Sequence, residues 1–185
     1  MKKYLPLAWR LGLIVAVVVA MLSVVNHFTA PAIAEAEQAA GNAARAELIK
    51  DAEFEPLAAD AIPAEYASSV TAVYQATANG TFAGYCMDVV TNGYGGEIKL
   101  VVAMNAELSV VGVKVISHGE TSGIGSKAVD EAGALIPQFI GKTDRNLSEV
   151  QTISGASISS KAVVSGVRSA VEAGRLIKEG GNANG

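Results

Sequence analysis

Between Leu11 and Val25 the chain is apolar at every position except Gly12 and Ser23, and no acidic residue precedes Glu35. Carried on through Asn26, His27 and Phe28, the run approaches the roughly 17 to 25 residues that cross a bilayer core as a helix, with Tyr4 and Trp9 placed as interfacial aromatics. Lys2, Lys3 and Arg10 lie on its N-terminal side. By the positive-inside bias residues 1–10 stay in the cytoplasm, residues 11–30 cross an inner or plasma membrane once, and everything beyond is extracytoplasmic. A cleaved signal peptide is the competing reading, because Ala32-Ile33-Ala34 resembles a small-residue cleavage site. The anchor is preferred, and both readings send the remainder out of the cytoplasm.

Pro31 is expected to stop or kink that helix. Glu35 to Lys50 is so rich in Ala and Glu that it predicts a connecting helix, whereas residues 51–68, with Pro56 and Pro63 and no clear period, predict irregular structure with room for a short helix. Residues 31–68 therefore read as a helical stalk and connector. From Val70 the composition turns β-branched and aromatic: Val70 to Ala76, Thr81 to Val90, Glu97 to Met104 and Leu108 to Ser117 are each of strand length. Asn79-Gly80 and Asn92-Gly93 are turn signals, and Asn105-Ala106-Glu107 joins the last two runs as a tight hairpin. Lys127 to Phe139 then has helical spacing, and Ser159 to Lys178 keeps Ala162, Val163, Gly166, Val167, Ala170, Val171 and Leu176 near one face. The fold class is α+β: one N-terminal transmembrane helix, then a mostly antiparallel sheet with helices packed on it over residues 69–180, and a flexible tail at 181–185.

Size and charge narrow the function. Of 185 residues, about 150 follow the apolar helix, enough for a single domain with its own core. A net charge of −4 and a pI near 5.2, without clustered Lys and Arg, argue against a nucleic-acid partner. The lone Cys86 forms no disulfide within the chain and reads as a small buried hydrophobe.

Two short segments carry candidate chemistry. The first, Thr152-Ile153-Ser154-Gly155-Ala156-Ser157-Ile158-Ser159-Ser160, leads directly into the C-terminal helix. A helix start offers unpaired N–H groups and the positive dipole end, and Gly155 and Ala156 let a phosphate approach the backbone. The everyday alternative is that one of these serines merely caps the helix. No GKS/T sequence with P-loop glycine spacing is present. The second segment, His118-Gly119-Glu120-Thr121-Ser122-Gly123-Ile124-Gly125, has glycines that allow a sharp bend or close approach to something flat; a flexible connection is its alternative. Only His27 accompanies His118, so neither a zinc site nor a Ser/His/Asp hydrolase is expected.

Taken in this order, the pieces resemble the FMN-binding G subunit of the Rnf ion-translocating electron-transport complex, and its relative, the C subunit of the sodium-translocating NADH:quinone reductase. Gly93-Tyr94-Gly95-Gly96 is similar to that family's Gly-Tyr-x-Gly turn, His118 with Glu120 to Gly125 to its His-x-Glu-Thr-Pro-Gly-Leu-Gly loop, and Ser154-Gly155-Ala156-Ser157 to its Ser/Thr-Gly-Ala-Thr motif. Ser157 replaces the usual Thr, Gln151 stands where the motif has Asp, and Ser122 replaces Pro. The short stretch between helix and sheet favours the Rnf protein.

The resemblance implies a redox subunit of a translocase, with no catalysis of its own and no catalytic residue. It implies covalent FMN joined through its phosphate to Ser157 by a flavin transferase, which would make the chain a flavoprotein and, through the phosphoester, a phosphoprotein. Ser154, Gly155, Ala156 and Ser159 would surround the phosphate; Glu120, Thr121, Gly123 and Ile124 would pack along the ring. Implied partners are the other membrane subunits of the complex, the transferase and membrane lipid. An anchored ligand-binding module without covalent flavin, and a purely structural subunit, remain the rival classes.

Overall fold

The computed structural model describes residues 5–182. The chain divides into two compact units, Met1–Ala39 and Ala40–Gly185. The first helix, α1, runs Leu5–Leu48 and passes through Pro31 without a break, so the expected stop does not occur. A proline inside a helix removes one N–H, here the bond to the His27 carbonyl, and the Ala-rich run that follows it continues the helix. In the first unit the large apolar side chains, among them Trp9, Leu22 and Phe28, are exposed. With a stretch of mean hydropathy 2.3, the helix is long and apolar enough to cross a membrane.

The second unit is built on five antiparallel strands in sequence order: β1 (Ala52–Pro56), β2 (Val70–Ala78), β3 (Thr81–Asn92), β4 (Glu97–Asn105) and β5 (Val110–His118). Strand β4 is buried on both sides. Ile98, Leu100, Val102 and Met104 face a large core shared with Met87 and Val89 of β3. Val101 and Ala103 face a smaller one with Cys86, Ala44 and Leu48. The large core is covered by the C-terminal helix α2 (Ser157–Asn182), which inserts Val163, Val167, Ala170 and Val171. Gly166 of α2 lies so near the sheet that a Cβ there would stand 3.1 Å from a Val89 methyl, and Thr91 Oγ1 donates to the Ala162 carbonyl at 3.1 Å.

The last turns of α1 cover the smaller core. Arg45, 2% exposed, donates from Nη1 to Asp88 Oδ1 at 2.5 Å and from Nη2 to Asn42 Oδ1 at 2.7 Å, with its guanidinium 3.8 Å above the Tyr74 ring centroid. Burial pushes the Asp88 carboxyl up, and the neighbouring guanidinium pulls against that shift. Burial also raises the Cys86 thiol to about 12.

The structure departs from expectation between residues 51 and 68, where Ala52–Pro56 forms an edge strand beside β2 rather than irregular chain. It departs again at 127–139, where the helical spacing yields only the 3-10 turns Gly125–Ala128 and Ile136–Phe139. Asp130 Oδ1 accepts the Ala132 N–H in a local turn, and Glu131 reaches outward to accept the Val115 N–H and pair with Lys114 on β5. Those side chains serve a local turn and the β5 edge instead of a helix.

Removing Asp88 leaves the Arg45 charge buried and short of a partner. Asp88→Ala is expected to cost about 3 kcal/mol in thermal unfolding of the detergent-solubilised chain, and the double substitution Arg45→Met with Asp88→Leu distinctly less.

Candidate functional site

The site is assembled where the register of β4 and β5 ends. Ile98 pairs with His118, so the turn preceding β4 and the loop following β5 lie side by side, joined by the Gly119 N–H to the Glu97 carbonyl at 3.3 Å. The turn closes through the Gly93 N–H to the Gly96 carbonyl at 2.8 Å and holds Tyr94 outward, 73% exposed. The loop is clasped by Ser126, whose Oγ accepts the Gly123 N–H at 2.8 Å; Gly123 has φ +77°, a conformation glycine adopts without cost. Ile124 and Ser126 each donate an N–H to the Thr121 carbonyl at 3.2 Å.

The third wall is the start of α2. Gly155 takes φ +81° to turn the chain, and the Ser160 N–H then bonds the Ala156 carbonyl at 2.8 Å, which makes Ala156 the N-cap. The everyday alternative for this segment, a serine cap, is therefore not what the helix uses. Alanine supplies no side-chain acceptor, and among the described residues none accepts the N–H groups of Ser157 or Ile158. The buried serines are engaged elsewhere: Ser160 Oγ accepts the Ile153 N–H at 3.1 Å and Ser159 Oγ donates to Glu120 Oε2 at 2.7 Å.

Between the walls lies a cavity of about 430 Å³ bounded by Tyr94, Thr121, Ile124, Gly125 and residues 155–159, a volume usual for a cofactor site. Of the residues singled out from sequence, Thr121, Ile124, Gly155, Ala156, Ser157 and Ser159 meet here. Ser154 and Gly123 do not bound the cavity, and Glu120 is buried behind it. Sequence reasoning passed over Tyr94 and Ile158 as cavity residues; the position of Tyr94 between Gly93 and Gly95 was the available signal. The geometry fits a phosphorylated flat heterocycle: uncapped N–H groups suit a phosphate, and exposed Tyr94, Ile124 and Ile158 suit a ring.

Residues 93–172, which carry the turn, the loop and α2 that bound this cavity, match the family of FMN-binding domains, and that is the class of the domain. The chain is 32% identical, over 89% of its length and 90% of the relative's, to the G subunit of the Na(+)-translocating ferredoxin:NAD(+) oxidoreductase complex of Acetobacterium woodii. It is 30% identical, over 89% of its length and 78% of the relative's, to the G subunit of the ion-translocating oxidoreductase complex of Stutzerimonas stutzeri. A proton-translocating counterpart from Clostridium ljungdahlii is 36% identical over a shorter alignment, 48% of this chain and 51% of the relative. The chain belongs to this family, the G subunits of Rnf-type ion-translocating oxidoreductase complexes.

Of the four serines at this helix start, Ser160 and Ser154 should differ in their weight for stability. Ser160→Ala strands the Ile153 N–H and is expected to cost about 1–2 kcal/mol in thermal unfolding, whereas exposed Ser154→Ala should stay within about 0.5 kcal/mol of the parent.

Proposed function

We propose that this chain is an electron-transfer subunit of a membrane ion-translocating oxidoreductase of the ferredoxin:NAD type, carrying FMN attached through its phosphate to Ser157. The observation that carries the reading is the helix start: an exposed hydroxyl at the first position of α2, on the wall of the cavity, beside N–H groups that Ala156 leaves without a side-chain cap. Attachment by a transferase joins the Ser157 oxygen to the FMN-side phosphorus of FAD. The bond from that phosphorus to the oxygen bridging to AMP breaks, AMP leaves, and the hydroxyl proton passes to a base of the transferase or to water. No oxidation is involved.

Around the phosphate, Gly155, Ala156 and Ser159 shape the backbone approach, and Ser154 leads the chain into that turn. Thr121 offers a hydrogen bond to the ring and Ile124 an apolar face, while Glu120 and Gly123 hold their loop. Bound FMN supplies one- or two-electron chemistry; the protein supplies orientation and surroundings. In this reading residues 1–10 are cytoplasmic, 11–30 cross the membrane and the chain beyond is extracytoplasmic, with the connector over 31–68 lending the end of α1 and strand β1 to the FMN-binding domain that continues over 69–180. The partners are the other membrane subunits of the complex, surrounding lipid, and the transferase during maturation.

Made alongside a flavin transferase, the parent chain is expected to show flavin fluorescence on its band in a denaturing gel, Ser157→Thr to keep it and Ser157→Ala to lose it. Fluorescence undiminished by Ser157→Ala would move the attachment elsewhere, and a dark parent band would sink covalent binding. A phosphatase reporter that folds only outside the cytoplasm, fused after residue 182, should be active; an inactive fusion reverses the proposed orientation.

A further inference from the structure

Glu120 is 7% exposed and lies behind the cavity rather than on its surface. Its two oxygens hold different walls. Oε1 accepts the Gly95 N–H at 3.2 Å, on the turn that carries Tyr94, and Oε2 accepts the Ser159 hydroxyl at 2.7 Å, in the first turn of α2 that carries Ser157. Its backbone opens the remaining wall, the loop with Thr121 and Ile124, and is itself held by its N–H to His118 Nδ1 at 3.2 Å. The glycines of both segments are shaped to this carboxylate. A Cβ on Gly93 would stand 1.9 Å from Oε1, one on Gly125 2.1 Å from Oε2, and one on Gly95 2.2 Å from the Gly119 carbonyl. Gly93 and Gly125 make room for this side chain and Gly95 for the backbone leading into it; their value is space rather than mobility.

We propose that Glu120 is a positioning residue for the flavin, setting the distances between Tyr94, the Thr121–Ile124 loop and the Ser157 hydroxyl. This inference rests on the reading that the cavity takes FMN. Of the groups that Glu120 holds, the Gly95 N–H can only donate whereas the Ser159 hydroxyl can donate or accept, so the position needs one acceptor and a second polar atom at the end of a side chain of this length. Length therefore matters more than charge. Glu120→Asp keeps the charge but is shorter by about 1.5 Å, one carbon–carbon bond, and cannot span Gly95 and Ser159 together. Glu120→Gln keeps the span: its oxygen serves the Gly95 N–H, and its amide can donate to the Ser159 hydroxyl once that group turns to accept.

The test uses the full chain co-produced with a flavin transferase, in detergent, below the melting midpoint of each variant. Glu120→Gln is expected to match the parent in attached flavin and in the visible absorption and fluorescence yield of that flavin. Glu120→Asp should fall at least about tenfold in the rate of flavin attachment, the factor that loss of one charge-assisted hydrogen bond carries, and the flavin it does acquire should show a shifted absorption band. Ser159→Ala, which severs only the α2 side, serves if Glu120→Asp does not fold, and should shift the band without abolishing attachment. Parent-like attachment and spectra in Glu120→Asp, or in Ser159→Ala where it stands in, overturn the proposal. A parent that acquires no covalent flavin sinks the attachment at Ser157 but not this inference, which is then read with added free FMN: about tenfold weaker binding by Glu120→Asp supports it, equal binding overturns it. A parent that binds no FMN in either form overturns both.

Discussion

The pairing of Ile98 with His118 governs the rest of the second unit. It fixes which end of the β4–β5 ladder the two glycine-rich segments share, and a slip of one residue would send the apolar set of β4 to the wrong cores. Because β4 is buried on both faces, that slip has nowhere favourable to go. α2, lying on the same strands, then delivers its N-terminus to the same end of the sheet. Three segments distant in sequence meet because one register is enforced by two cores.

Most of the scaffold was legible from composition and spacing. Strands β2 to β5 fall within a residue or two of the runs of β-branched and aromatic side chains bounded by turn residues, and α2 buries most of the face its period-3.6 spacing marks, because runs of nine or more residues leave strong traces. The failures share a cause. Strand β1 has only five residues, one apolar ring and a terminal proline, too short for a period to emerge. Residues 127–139 carry apolar spacing, but Asp130 and Glu131 spend their side chains on a local turn and on the β5 edge, contacts that no one-dimensional pattern records.

The site was legible as two motifs but not as a geometry. The hydroxyl-rich helix start drew attention to serine as a cap, whereas the cap is Ala156, and its silence as a hydrogen-bond acceptor is what leaves the backbone donors exposed. Tyr94 was visible in the turn motif, yet its place at the cavity followed only from the β4–β5 register. Glu120 carried its meaning least openly, since its partners, Gly95 and Ser159, lie 25 and 39 residues away.

The burial of Cys86 has a consequence for a chain that handles electrons. A thiol becomes a competent nucleophile or one-electron donor mainly as its anion, and with the group held near 12 beneath the end of α1 that anion is essentially absent at neutral pH. The fold thus insulates its single thiol from oxidants and from a neighbouring flavin alike. Only a chain whose sheet has opened exposes it, so cross-linking through sulfur becomes a mark of unfolded copies and leaves the working protein chemically silent at that position.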